Sequence, residues 1–380
     1  MKLFECQNCR QPLYFENTRC ESCGLSLGYL PGRDVVTALK PDRAKPDHAM
    51  WRALAHPCGR YRLCANATYG VCNWLIPSDV PEQFCAACRH NRTIPDLSQA
   101  SNREHWRLLE IAKHRLFYTL LRLRLPLKTR TEDPNGLAFD FLGDDVGAGP
   151  APLMTGHANG VITINLAEAD DAEREHRRRQ MGEPYRTLLG HFRHEIAHYY
   201  WDRLVAGTPS LDAFRQVFGD ERGDYAVALQ RYYASGAPAD WPEHFITAYA
   251  TAHPWEDFAE TWAHYFHMID TLEIAGSFGL VVAPKLSKGL AARTNFDAHT
   301  ADMDRLIDAW IPLTFAANSL NRSMGLPDLY PFTLSAPVIA KLAFVQARIH
   351  AHARRRPTPN GGIGAVFAGL RRRAGMATQR

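Results

Sequence analysis

Between positions 102 and 125, apolar residues return every three or four places: Trp106, Leu109, Ala112, Leu116, Leu120 and Leu123, with arginine, lysine and glutamate between them. This spacing predicts a long amphipathic helix, broken at Pro126 and read as a core or linking element. A stretch rich in glycine, proline and aspartate follows over 131–149 and reads as loop. Residues 160–166 predict a strand, and the charged run 173–179 predicts a solvated helix face. From position 184 onward the pattern is mainly helical, over 188–205, 211–216, 224–234, 244–250, 256–275 and 303–319. A last core or lid segment falls at 337–350.

The first quarter is different, because all nine cysteines lie between Cys6 and Cys88. Cys6-x2-Cys9 and Cys20-x2-Cys23 are two knuckles, each turning two thiolates toward one point, and together they predict a tetrahedral four-sulfur zinc site. Cys64, Cys72, Cys85 and Cys88 predict a second such site, leaving Cys58 over. Spacing does not choose between Cys58 and Cys64, although Cys58 lies between Pro57 and Gly59 in what reads as a separate turn. His56 or His90 is a possible substitute for one thiolate. The segment 91–98 reads as the exit from this unit.

Four regions follow: tandem ribbons over 1–98, a linking helix over 99–130, a mainly helical domain with a small sheet over 131–352, and a basic tail over 353–380. The expected fold class is α+β. From Arg354 to Arg380 there are seven arginines and no acid, so this tail is expected to be poorly ordered. The net charge of +4 predicts no strongly charged partner. No run of apolar residues is long enough for a membrane span, and the N-terminus lacks the apolar core of a signal peptide. With cysteines spaced for metal, a reducing, cytoplasmic compartment is expected.

The sharpest motif is His194-Glu195-Ile196-Ala197-His198. Histidines four apart share one helix face, so both imidazoles reach one metal, and the adjacent glutamate is placed to activate a zinc-bound water. His191 lies one turn earlier without a neighbouring glutamate and is assigned to the cleft wall or to support of a ligand. A third ligand must come from elsewhere. Trp201 and Leu204 exclude the metzincin pattern, and Gly207, Thr208 and Asp212 match the aspzincin pattern only in part, with Pro209 intruding. Glu256 and Glu260 are better candidates: one turn apart on an otherwise apolar helix, one coordinates while the other orients a ligand histidine.

The run Glu256-Asp-Phe-Ala-Glu260 after such a helix resembles the E-x-F-A-E pattern of gluzincins of the lethal-factor-like kind. That resemblance implies that Glu256 is the zinc ligand, and that Tyr249, seven residues earlier, stabilises the oxyanion. Almost the whole of residues 1–350 also resembles a bacterial zinc-binding metallopeptidase family with an N-terminal zinc ribbon. The segments Gly70-Val-Cys-Asn-Trp74, Gly190-His-Phe-Arg-His-Glu195, Phe218-Gly-Asp-Glu-Arg222 and His253-Pro-Trp-Glu-Asp257 carry the likeness. It implies a peptidase class; with the motifs above, the expectation is one catalytic and two structural zinc ions, a peptide or protein substrate, Glu195 as general base and Glu260 as the orienting acid. The competing expectation is a metal-bearing scaffold without turnover, binding nucleic acid or protein through its ribbons and basic tail. The intact Glu195 weighs against that alternative, since coordination alone does not need it.

Overall fold

The computed structural model describes residues 2–42, 50–143, 155–181 and 187–354. The basic tail therefore lies outside the described residues, apart from its first two positions. The chain is α+β, with the strands concentrated in the first half.

The N-terminal unit begins with a two-stranded pair, β1 (Phe4–Glu5) and β2 (Pro12–Leu13), which carries the first knuckle. A five-stranded antiparallel sheet follows, in sequence order: β3 (Leu27–Leu30), β4 (Val35–Pro41), β5 (Trp51–Ala53), β6 (His56–Leu63) and β7 (Leu75–Pro77). The metal spacing alone did not announce this sheet. Its inner face and the knuckles enclose Phe15, Tyr29 and Trp74, with ring centroids 4.8 Å apart for both Phe15–Tyr29 and Tyr29–Trp74. Tyr118 comes from the long helix to complete this cluster, 5.5 Å from Phe15. The ribbon's core is thus shared with the helix that follows it.

After β8 (Asn91–Thr93) that helix, α1 (Ala100–Arg122), runs for 23 residues. It ends before Pro126, because Arg124 adopts a left-handed backbone (φ 54) and the Leu125 N–H closes back on the Leu120 carbonyl at 3.0 Å. The segment read as loop contains a strand, β9 (Ala138–Leu142). Four of its five residues are buried, so the alternation that marks a half-exposed strand is missing. It pairs in parallel with both β8 and β11 (Val161–Asn165), and β10 (Gly156–Ala158) lies antiparallel on β11. The order β10-β11-β9-β8 makes β10 one edge of the sheet and leaves β11 interior.

The helical half follows as α2 (Asp171–Met181), α3 (Leu188–Leu204), α4 (Leu211–Phe218), α5 (Tyr225–Ser235), α6 (Trp241–His244), α7 (Pro254–Ser277), α8 (Met303–Ser323) and α9 (Ala336–Arg354). Two short strands, β12 (Val281–Val282) and β13 (Ala292–Arg293), pair between α7 and α8. The helix expected over 244–250 does not form. Phe245 is extended, and the Thr247 hydroxyl accepts the Ala250 N–H, which starts a single tight turn at Tyr249–Thr251.

The helices α3 and α7 pack along their length around Tyr200 and Trp262, stacked at 5.2 Å and 15°. Arg193 of α3 is buried in the same interface and paired with Asp270 and His267 of α7. On the other side of α3, Phe192 meets Phe139 at 5.9 Å, and Phe139 meets Phe117 of α1 at the same distance. Helix α9 is pinned to α7 by the buried pair Lys341–Asp257 at 2.7 Å. Trp201 and the Tyr199-Tyr200 pair are buried packing residues, as their apolar setting suggests. No described helix is long and apolar enough to cross a membrane.

Candidate metal centres

Helix α3 starts at a Thr187 cap, whose hydroxyl accepts the Gly190 N–H at 3.0 Å. One turn further in, His194 and His198 stand on the same face with ring centroids 5.1 Å apart. Helix α7 starts at a His253 cap, whose side chain accepts the Trp255 N–H, with Pro254 in its first position, where the ring's fixed φ suits a helix start. That start places Glu256 in the first turn, where the helix dipole favours an anion, and only 1% exposed.

The two helices bring three donors together. Glu256 Oε2 lies 2.9 Å from His194 Nε2, and Oε1 lies 3.6 Å from His198 Nε2. A tetrahedral zinc with ordinary Zn–N and Zn–O bonds needs edges of about 3.4 Å, which these bracket. Glu260, one turn along α7, is 2.7 Å from His194 Nδ1. A carboxylate only accepts, so Nδ1 carries a proton and Nε2 is the nitrogen turned toward Glu256. It faces Glu256 Oε2, a buried oxygen, across that 2.9 Å. A proton on Nε2 makes the two an ion pair; once it leaves, Nε2, the Glu256 carboxylate and His198 Nε2 are acceptors converging on one point, a donor set that fits a divalent metal.

The electrostatics agree. Burial pushes the Glu256 carboxyl up, but His198, His194 and Tyr225 outweigh it and hold it down at about 2. Burial holds His198 down at about 4, leaving it neutral and able to coordinate. Burial also works against charge on His194. Glu256 and Glu260 overcome it, and without metal they hold that ring protonated well above the ordinary histidine range.

The other expected residues surround this centre. Glu195 is half-buried beside His194, and its charge acts on Tyr225 and Tyr249. The Tyr249 ring is 6.0 Å from His194, and burial with the nearby Glu256 raises its hydroxyl far above the usual tyrosine range. His191 Nδ1 is 3.3 Å from the buried Glu168, so it belongs to the wall behind the helix face and contributes nothing to the three-donor group.

Two residues enter that the motifs did not indicate. Tyr225, the first residue of α5, donates its hydroxyl to Glu256 Oε1 at 2.6 Å. Its only sequence signal is an Asp224 helix cap ahead of it, which places it at a helix start without saying what that start faces. His157 of the edge strand β10 stacks on His198, centroids 6.2 Å apart and planes 16° apart. Its Nε2 accepts the Gly160 N–H at 3.0 Å.

Both cysteine sets are assembled. In the first, Cys9–Cys20 and Cys6–Cys23 sulfurs are 3.6 and 3.7 Å apart, near the ~3.8 Å edge of a zinc–sulfur tetrahedron. Each knuckle closes on a residue with positive φ, Arg10 and Gly24, whose N–H returns to the Cys6 or Cys20 carbonyl at 2.8 Å. In the second, Cys64, Cys72, Cys85 and Cys88 are all buried, with Cys72 and Cys85 sulfurs 3.8 Å apart. Cys58 is exposed on β6 and takes no part. Neither His56 nor His90 replaces a thiolate: the former bonds Tyr61 and the latter the Leu137 carbonyl, which removes both from the cluster. The histidine that does reach the sulfurs is His114 of α1.

Comparisons with known proteins divide the chain near residue 100. A zinc-ribbon domain model matches residues 3–99. Uncharacterized proteins of Mycobacterium tuberculosis and Mycobacterium bovis are 42% identical over 350 residues, covering 91% of this chain and 94% of theirs. No solved structure matches. The model described as "Putative zinc-binding metallo-peptidase" matches residues 102–348, which contain all three donors and Glu195, and the chain belongs to that family.

Proposed function

We propose that the protein is a zinc-dependent peptidase of the gluzincin kind, with His194, His198 and Glu256 as the ligands of its catalytic metal. The observation that carries this reading is the convergence of His194 Nε2, His198 Nε2 and the buried Glu256 carboxylate on one point, with Glu195 alongside. A zinc ion held there supplies a Lewis acid that polarises the scissile carbonyl and acidifies water. Three protein ligands leave the open position that catalysis needs.

The remaining chemistry belongs to the chain. Glu195 takes the proton of the attacking water and passes it to the leaving amine. The Tyr249 hydroxyl, kept protonated by its surroundings, donates to the carbonyl oxygen as charge develops there, an effect worth about 3 kcal/mol of barrier. Glu260 fixes the tautomer and direction of His194, and Tyr225 fixes the Glu256 carboxylate. The edge strand β10, beside His198, offers its outer backbone edge to an extended peptide. The two four-cysteine sets hold structural zinc in the same reading, and nine free cysteines suit a reducing compartment such as the cytoplasm.

The test is metal dependence. Protein dialysed against a chelator should lose cleavage of a peptide mixture, and zinc should restore it. Cleavage that survives complete loss of metal would refute the reading.

A further inference from the structure

The second cysteine set has more donors than a tetrahedral metal needs. Besides its four sulfurs, His114 Nε2 lies 3.3 Å from Cys72, 3.6 Å from Cys88 and 3.9 Å from Cys85. The ring is 4% exposed and held at 5.1 Å against Trp74, so its direction is set by packing. Its other nitrogen, Nδ1, is 2.6 Å from the Glu110 backbone carbonyl. A carbonyl only accepts, so Nδ1 carries hydrogen, and Nε2 is the nitrogen left to coordinate, facing the three sulfurs. With ordinary Zn–S and Zn–N bonds, a tetrahedron of three sulfurs and one nitrogen has N–S edges of about 3.6 Å. The three distances average to that edge.

Cys72, Cys85 and Cys88 therefore form one face that two four-donor groups share. Cys64 completes one and His114 the other. Buried Lys113, 2.7 Å from Glu110, supplies a positive charge close to this thiolate-rich group. We propose that the second metal site has five ligand residues for four places, with Cys64 and His114 as interchangeable fourth ligands to a zinc ion held by Cys72, Cys85 and Cys88. This rests on the reading of that set as a zinc site, and it is independent of peptidase activity.

The consequence is mechanical. Cys64 belongs to the ribbon segment, 3–99, whereas His114 lies in α1, inside the segment matched by the peptidase family, 102–348. With His114 bound, the metal staples the ribbon directly to the helix that packs on α3, which carries the His194-Glu195-Ile196-Ala197-His198 motif.

Metal content and cobalt spectra of the full chain test this. Cys64→Ala should keep the zinc content of wild type, and its cobalt-substituted form should show d–d bands moved to shorter wavelength, as for three sulfurs and one nitrogen. His114→Ala should also keep its zinc, with the four-sulfur spectrum. The double variant should lose one equivalent. Loss of one equivalent from either single variant that keeps its wild-type circular dichroism overturns the interchange. A double variant with the wild-type content removes metal from this site altogether, and the proposal falls with the reading beneath it. Should Cys64→Ala fail to fold, the cobalt spectra of wild type and His114→Ala decide: identical spectra overturn the proposal.

Discussion

Glu260 binds His194 at Nδ1, 2.7 Å away, while Glu256 stands 2.9 Å from Nε2 on the other side of the same ring. The two glutamates are one helical turn apart, yet they take different places: one faces the metal position and the other holds the ligand from behind. Their variants should separate accordingly. Glu256→Ala should lose one equivalent of zinc outright. Glu260→Ala should keep it with affinity weakened ~10–100-fold, the usual cost of losing such a support. Competition against a calibrated chelator measures both, and the reverse order would exchange the two roles.

Tyr225 should matter to the metal without touching it. Its hydroxyl is 2.6 Å from Glu256 Oε1, and Phe at this position removes that bond while keeping the ring against Trp255 and His253. Tyr225→Phe is expected to weaken zinc binding about tenfold and to leave the thermal midpoint of the metal-free protein close to wild type. Unchanged affinity would assign Tyr225 to packing alone.

Metal binding should release one proton at neutral pH. In the metal-free protein Glu256 and Glu260 overcome burial and hold His194 protonated well above its usual range, so coordination must displace that proton. His198, held at about 4, and Glu256, at about 2, are already deprotonated at neutral pH and contribute none. Affinity should therefore rise with pH through the neutral region, by up to ~10-fold per unit, and fall further below about pH 4 as His198 also takes a proton. Titration calorimetry in buffers of different ionisation enthalpy counts the protons, and a count near zero would show His194 to be neutral before metal arrives.

The parts of the site legible from sequence are those written at short range. The Cys-x-x-Cys knuckles are local turns, the two motif histidines share a face by helical periodicity alone, and the Glu256–Glu260 pair is one turn of a helix whose apolar positions are evident. Residues that reach the site across the fold left no such mark. Tyr225 meets Glu256 across 31 positions, and His114 meets Cys72 across 42. The reading of α1 as a linking or core element was right about its burial, but periodicity says nothing of what a buried histidine faces. Strand β9 was hidden because it is buried on both faces and bounded by glycines, so its composition reads as loop. The segment 244–250 has helical spacing but lacks a helix, because the Thr247 side chain competes for the backbone N–H that a helix would use.

The central claim is that this metal centre hydrolyses peptides through Glu195, and the most direct measurement compares wild type with Glu195→Gln on a complex peptide mixture. Both proteins should be loaded to the same zinc content and the products read by mass spectrometry. Gln is isosteric but cannot take the proton, so the variant should hold its zinc and cleave at least ~10²-fold more slowly. The cut sites found with wild type would define the subsite preference. Equal cleavage by both proteins would remove Glu195 from the chemistry, and no cleavage by zinc-loaded wild type across the mixture would contradict the peptidase assignment itself.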